Sequence, residues 1–159
     1  MSDLLRKPHE PPMTRRYWAQ TGGTLLLEYL VVRGRRGDGQ HPGAGSRRMD
    51  AIIVRRGKRE EIKYADEHSF PLKGRDVIIV QTKRRRLSLP LLGQALFSRD
   101  LVKKFCKPRS VCTVALCGED DDVLRPIAER RGIVVEVDKR AAAPRKRAKP
   151  RKARSLARS

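Results

Sequence analysis

An α/β fold is the class this sequence predicts, and three observations predict it. Two short runs, MDAIIVRR (49–56) and RDVIIVQTK (75–83), hold continuous apolar cores of the kind found in strands covered on both faces. Helical periodicity appears before and after them, so helices are available to supply that cover. The 159 residues are 38% hydrophobic, which suits one domain with a modest core.

Taken in chain order, residues 1–13 contain three prolines and little apolar content, and read as irregular. From Thr14 the spacing of Trp18, Leu25, Tyr29 and Val32 follows a 3.6-residue period, which predicts a helix closing near Gly34. Gly22 and Gly23 interrupt it at about 1 kcal/mol each, unless they mark a close backbone approach. The stretch 33–48, RGRRGDGQHPGAGSRR, reads as a mobile basic loop. Three β-type runs follow at 49–56, 60–65 and 75–83, the last two separated by a loop with Pro71 and Gly74.

Ser88 is placed to cap a helix of about 17 residues, with Pro90 tolerated in its first turn. A strand at 110–117, an acidic turn, a helix ending before Gly132 and a strand at 133–137 complete the order. The acids Glu119 to Asp122 fall at the start of that helix, where the macrodipole favours negative charge. The domain organisation is thus an irregular segment 1–13, an α/β domain 14–138 and a basic tail 139–159.

Charge carries the first functional signal. The chain has 38 Lys and Arg against 18 Asp and Glu, a net +20, and selects a polyanionic partner, nucleic acid before an anionic membrane surface. Ten of the basic residues lie between Lys139 and Ser159, where there is no acid, so that tail is expected to be disordered and to bind phosphates without reading sequence. Without it the rest still carries +10, so the folded part is basic in its own right. No run reaches the roughly 18 apolar residues of a membrane span, and MSDLLRKPHEPPM lacks the apolar core of a signal peptide, which predicts a cytoplasmic protein, nucleoid-associated in a bacterium.

Cys106, Cys112 and Cys117 lack the C-x2-C spacing of a zinc site, and His9, His41 and His68 do not cluster with them; they read as buried, reduced thiols. There is no Walker loop, no G-x-G-x-x-G after a strand and no G-x-S-x-G.

Five polar positions stand out within this order: Glu28, Asp50, Gln81, Lys83 and Gln94. Residues two apart on a strand share a face, so Gln81 and Lys83 project together, while Asp50 opens a neighbouring apolar strand. A carboxylate and an ammonium gathered at one sheet end suit metal-assisted phosphodiester hydrolysis. The bland alternatives are an Asp50 paired with Arg47 or Arg48, a Lys83 that only contacts phosphate, and a Glu28 making a local helical contact.

On these residues, a helix with Glu28, a strand with Asp50, a strand with Q-T-K (Gln81 to Lys83) and a helix with Gln94, the chain resembles the PD-(D/E)xK, or restriction-endonuclease-like, nuclease superfamily. The resemblance covers about 110 residues and implies an αβββαβ core with an additional αβ unit, a mixed sheet flanked by helices. By position it implies that Asp50 binds Mg²⁺ or Mn²⁺ and that Gln81 stands where the family has its second acid. It further implies a catalytic lysine at Lys83, a supporting first-helix acid at Glu28 and a polar group near the scissile phosphate at Gln94. An amide coordinates through oxygen but brings no charge, so Gln81 is the departure from the pattern. Arg47, Arg48, Arg84, Arg85 and Arg86 around the site, with Lys146, Arg147, Lys149, Arg151 and Lys152 in the tail, are the expected nucleic-acid contacts.

The expected activity is DNA binding with metal-dependent cleavage, DNA being preferred over RNA and two-strand cutting calling for a homodimer. The alternatives are the same fold without catalysis, or a basic RNA-binding protein, which the 4% aromatic content disfavours.

Overall fold

The computed structural model describes residues 10–141. Its order is α1 (Glu10–Thr21), β1 (Thr24–Val32), β2 (Arg35–Arg36), β3 (Gly43–Ala44), β4 (Arg47–Val54), β5 (Glu61–Lys63), β6 (Asp76–Arg86), α2 (Leu89–Cys106), β7 (Ser110–Glu119), α3 (Leu124–Arg130) and β8 (Ile133–Val137). Residues 1–9 and the tail beyond 141, with the expected contacts Lys146, Arg147, Lys149, Arg151 and Lys152, lie outside the described residues.

A six-stranded mixed sheet, ordered β5-β1-β4-β6-β7-β8, is the centre of the fold. β1 and β6 run antiparallel to β4, whereas β7 and β8 are parallel to β6 and are reached through the crossovers α2 and α3. α1 packs on one face through Met13, against Leu25, Leu27, Ala51, Ile53, Ile78 and Val80. α2 covers the other face, burying Val102 and Cys106 against Leu26, Tyr29, Ile52, Val54 and Ile79. Its N-terminal half joins α3 over β7 and β8, where Leu91, Leu92 and Ala95 meet Ala128 and Ile133. Each such fully buried aliphatic side chain contributes roughly 1.5–3 kcal/mol by removal from water. Among the described residues no helix is long and apolar enough to cross a membrane.

The first helix departs most from expectation. It begins at Glu10, inside the stretch expected to be irregular, because Pro11 and Pro12 fall in its first turn, where a missing N–H costs nothing. It stops at Thr21, and the run TLLLEYLVV that the 3.6-residue spacing assigned to it is β1. The two glycines decide the matter. Gly22 has φ 71° and its N–H reaches Trp18 O at 2.8 Å, closing the helix. Gly23 has φ 84° and passes so close to β4 that a Cβ there would sit 2.3 Å from Val54 O.

Three long strands therefore do precede α2, but they are β1, β4 and β6; the run at 60–65 shrinks to β5, a three-residue edge strand parallel to β1. The basic loop at 33–48 also has structure, since β2 and β3 form a small hairpin. Asp38 closes its turn by accepting from the N–H groups of Gln40 and His41 at 2.8 and 2.7 Å. The acidic turn does cap α3, with Asp121 Oδ1 accepting from Val123 and Leu124 N–H at 3.0 and 2.9 Å.

Candidate functional site

The expected site residues fall on four elements at one end of the sheet, formed by the C-termini of β1 and β6, the N-terminus of β4 and the first half of α2. Glu28 is a correction: it lies on β1, not on the first helix. That placement brings it closer to Asp50, because the β1–β4 ladder pairs Leu27 with Ala51 and Tyr29 with Met49, leaving Glu28 and Asp50 opposite one another. On the other side the β4–β6 ladder ends at Ala51 and Val80, so Asp50 and Gln81 are the next positions along. Lys83 follows two residues on.

The pleat breaks along this line. Leu25 and Leu27 point to the α1 face, yet Tyr29 and Val31 belong to the α2 face, so alternation slips by one residue at Glu28. The same slip separates Met49, on the α2 face, from Ala51, on the α1 face, and falls at Asp50. Glu28 has φ 54°, and its neighbour beyond the β1–β5 pairing, Tyr64, has φ 60° with its N–H on Leu27 O at 2.9 Å. Left-handed backbone at a residue other than glycine costs on the order of 1–3 kcal/mol and persists where the surroundings impose it, most often at functional positions. Here one exposed cation braces it: the Arg48 guanidinium donates to Glu28 O at 2.8 Å and lies 5.8 Å from the Tyr64 ring centroid.

The polar groups differ in how they are held. Asp50 is exposed, and of the flanking arginines Arg47 donates to Ser46 O and Arg48 to Glu28 O. The Glu28 carboxylate makes no hydrogen bond or salt bridge among the described residues, although it is half-buried in a strained backbone. Gln81 is 4% exposed and its Nε2 donates to Ser98 Oγ, also buried, at 3.0 Å, leaving Oε1 on the other branch of the amide. Gln94 is exposed one turn before Ser98 on the same face of α2. On the opposite face of β6, Thr82 Oγ1 and Thr14 Oγ1 are 3.2 Å apart in a buried contact that ties α1 to this part of the strand. Ser98 is the residue that sequence reasoning missed; its spacing of four from Gln94 was the available signal.

The arginines Arg84, Arg85 and Arg86 are exposed beyond Lys83. The β6–β7 register shifts between Lys83 and Arg86, a bulge that re-aims this run. Gly118 makes room for it, since a Cβ there would lie 2.0 Å from Arg84 O. Arg86 is engaged with Glu119 at 2.5 Å, whereas Arg84 and Arg85 make no side-chain hydrogen bond or salt bridge among the described residues.

Neither buried cysteine is held as a thiolate for this site. Cys117 pairs in register with Lys83 but is buried, and burial pushes its thiol up; the Cys106 thiol is raised still further by burial and by Glu67. All three thiols are free, Cys106 and Cys117 buried and Cys112 half-buried. No group of three or more His, Cys, Asp or Glu able to hold a metal gathers among the described residues. Comparison with family models, with curated proteins and with solved structures finds no match to the chain.

Proposed function

We propose that this chain is a restriction-endonuclease-like protein that binds DNA through its phosphate backbone and hydrolyses phosphodiester bonds at the Asp50 end of the sheet. The observation that carries the reading is the juxtaposition on neighbouring strands of Glu28, Asp50 and Gln81, with Lys83 beyond them, inside a rim of exposed arginines. With the short β2, β3 and β5 left aside, the succession α1, β1, β4, β6, α2, β7 agrees with the αβββαβ order that the resemblance implies, which supports the reading.

The donor set is compatible with a hard divalent cation. Mg²⁺ keeps several waters and needs only one or two carboxylates when substrate phosphates supply the rest. Asp50 would be the principal ligand, with the Glu28 carboxylate and Gln81 Oε1 as the further oxygen donors. When bound, the cation would polarise the phosphate and stabilise the leaving oxygen. The side chains themselves position and neutralise. Arg84 and Arg85 hold the backbone beside the site by charge, the Lys83 ammonium orients the attacking water and neutralises charge on the phosphate, and Gln94 offers its amide to a phosphate oxygen.

One observation favours a second reading, a binder of the same fold without catalysis: Gln81 is buried and bonded to Ser98, as a purely structural amide would be. Gln81→Glu separates the two. The swap restores a carboxylate of nearly the same shape, and Ser98 Oγ can donate to it in place of accepting. Calorimetric titration with Mn²⁺ should show tighter binding to the variant, with raised Mg²⁺-dependent nicking of supercoiled plasmid. Unchanged Mn²⁺ affinity with no nicking by either protein would leave the silent binder.

A further inference from the structure

The opposite end of the sheet is built for anions as well. Segments 55–60, 73–76 and 107–110 meet there, because Arg55 N–H bonds to Asp76 O, Gly74 N–H to Lys107 O and Arg109 N–H to Arg75 O. Together they carry eight Lys or Arg and two acids, and every one of the eight is exposed. One acid is already neutralised: Asp76 accepts from Arg109 Nε at 2.9 Å, from Arg109 Nη2 and from Ser110 Oγ at 2.6 Å, and this arginine and hydroxyl hold its carboxyl well below the usual range. The side chains of Arg55, Arg56, Lys58, Lys73 and Lys107 make no hydrogen bond or salt bridge to any described residue. A cleft of about 480 Å³ opens beside them, with Tyr17, Thr21, Arg55, Arg56, Asp76 and Ser110 in its walls.

Two of these cations occupy backbone positions that favour glycine. Arg56 has φ 61° in the turn after β4, and Lys107 has φ 47° as the left-handed C-cap of α2. Glycine would adopt either conformation without the side-chain strain that each now carries. A charge kept at both places, at one end of the molecule and in no hydrogen bond or salt bridge to a described residue, is what a surface selected for binding polyanion would retain.

We infer that this far end is a second nucleic-acid backbone site, so that one chain holds two duplex segments at once. The 11-residue β6 runs from one end to the other, roughly 33 Å at about 3.3 Å per residue. From Asp76 to Gln81, the nearest part of the candidate site on this strand, the span is roughly 17 Å, about two Debye lengths of about 8 Å at physiological salt, so charge on one surface is largely screened from the other. The inference needs no hydrolysis at Asp50, and its test is run in EDTA so that cleavage does not enter.

Trp18, the chain's only tryptophan, reports on the far end: Arg59 lies over its ring at 5.5 Å and its Nε1 donates to Gly23 O at 2.8 Å. The experiment titrates the full chain with a short duplex while following Trp18 emission, then measures capture of a labelled duplex by a bead-bound one. The variant Arg55→Gln/Arg56→Gly/Lys107→Gly removes three charges and relieves both left-handed strains, so its melting temperature should match or exceed wild type. Arg55→Glu, on an exposed side chain, is the second variant and should act in the same direction. The expected result is a Trp18 response and bridging in wild type and the loss of both in the variants, with binding to a single duplex retained. The triple variant's log affinity against log salt should be shallower by about 2 to 3 for the three phosphate contacts removed. Bridging and a Trp18 response unchanged in the folded variants would overturn the inference, as would a Trp18 response to phosphatidylserine vesicles and none to DNA.

Discussion

At the far end of the sheet Asp76 is tied into Arg109 and Ser110, while at the near end Glu28 stands on a strained strand with its carboxylate unengaged by any described residue. Both ends are rich in arginine, and both hold residues other than glycine in left-handed backbone. They differ in what the strain presents. At Arg56 and Lys107 it presents cations alone, which suits binding without chemistry. At Glu28 it presents an acid, next to the exposed Asp50 and the buried Gln81, inside a cationic rim. A carboxylate lowers the attraction of such a rim for phosphate, so its placement there calls for a role other than affinity.

The comparison breaks most visibly if the near end is deformed from within. Gly118→Ala drives a Cβ into Arg84 O, so β6 and β7 must part at the bulge. We expect a loss of about 1–3 kcal/mol in stability, read from chemical denaturation, and weaker DNA binding at the near end. The far-end Trp18 response should survive below the melting transition. Equal weakening of both responses would mean that the ends are mechanically coupled.

Much of this arrangement was legible in the sequence, and the parts that were not have a common cause. The helix after Ser88 announced itself through its cap, Pro90 and its period, and the β-branched runs of β4, β6 and β8 read directly as strands. Asp50, Gln81 and Lys83 could be grouped from residue type and order alone. β1 escapes the pattern because its first four residues are all buried and show no alternation, so the spacing of Trp18, Leu25, Tyr29 and Val32 matches a helical period by coincidence. What separates helix from strand there is the approach of Val54 O to Gly23, a contact across 31 positions that local pattern does not encode. The basic loop hid its hairpin for a similar reason, since β2 and β3 have only two residues each. The far end was invisible because its cations come from three separate segments and its left-handed residues carry no sequence mark.

A smaller effect sharpens the contrast from the far side. Asp76 has its pKa lowered in the folded chain, chiefly by Arg109 and Ser110. Its stabilising contribution is therefore fully present above the ordinary aspartate value of about 4 and is lost as pH falls from there toward the depressed folded value. Thermal melts taken from about pH 7 to about pH 3 should show a shallower acid decline in Asp76→Asn than in wild type. An identical decline would mean that Asp76 contributes nothing to the acid sensitivity of the fold.

The most direct measurement of the central claim is incubation of supercoiled plasmid with wild type, Asp50→Ala and Lys83→Ala in Mg²⁺, Mn²⁺ or EDTA, at protein concentrations that saturate the DNA. The account predicts nicking by wild type that requires a divalent ion and falls at least about 100-fold in each variant, with binding kept by Asp50→Ala and modestly weakened in Lys83→Ala. Nicking by repurified Asp50→Ala at the wild-type rate, or no nicking by wild type with either metal, would contradict it.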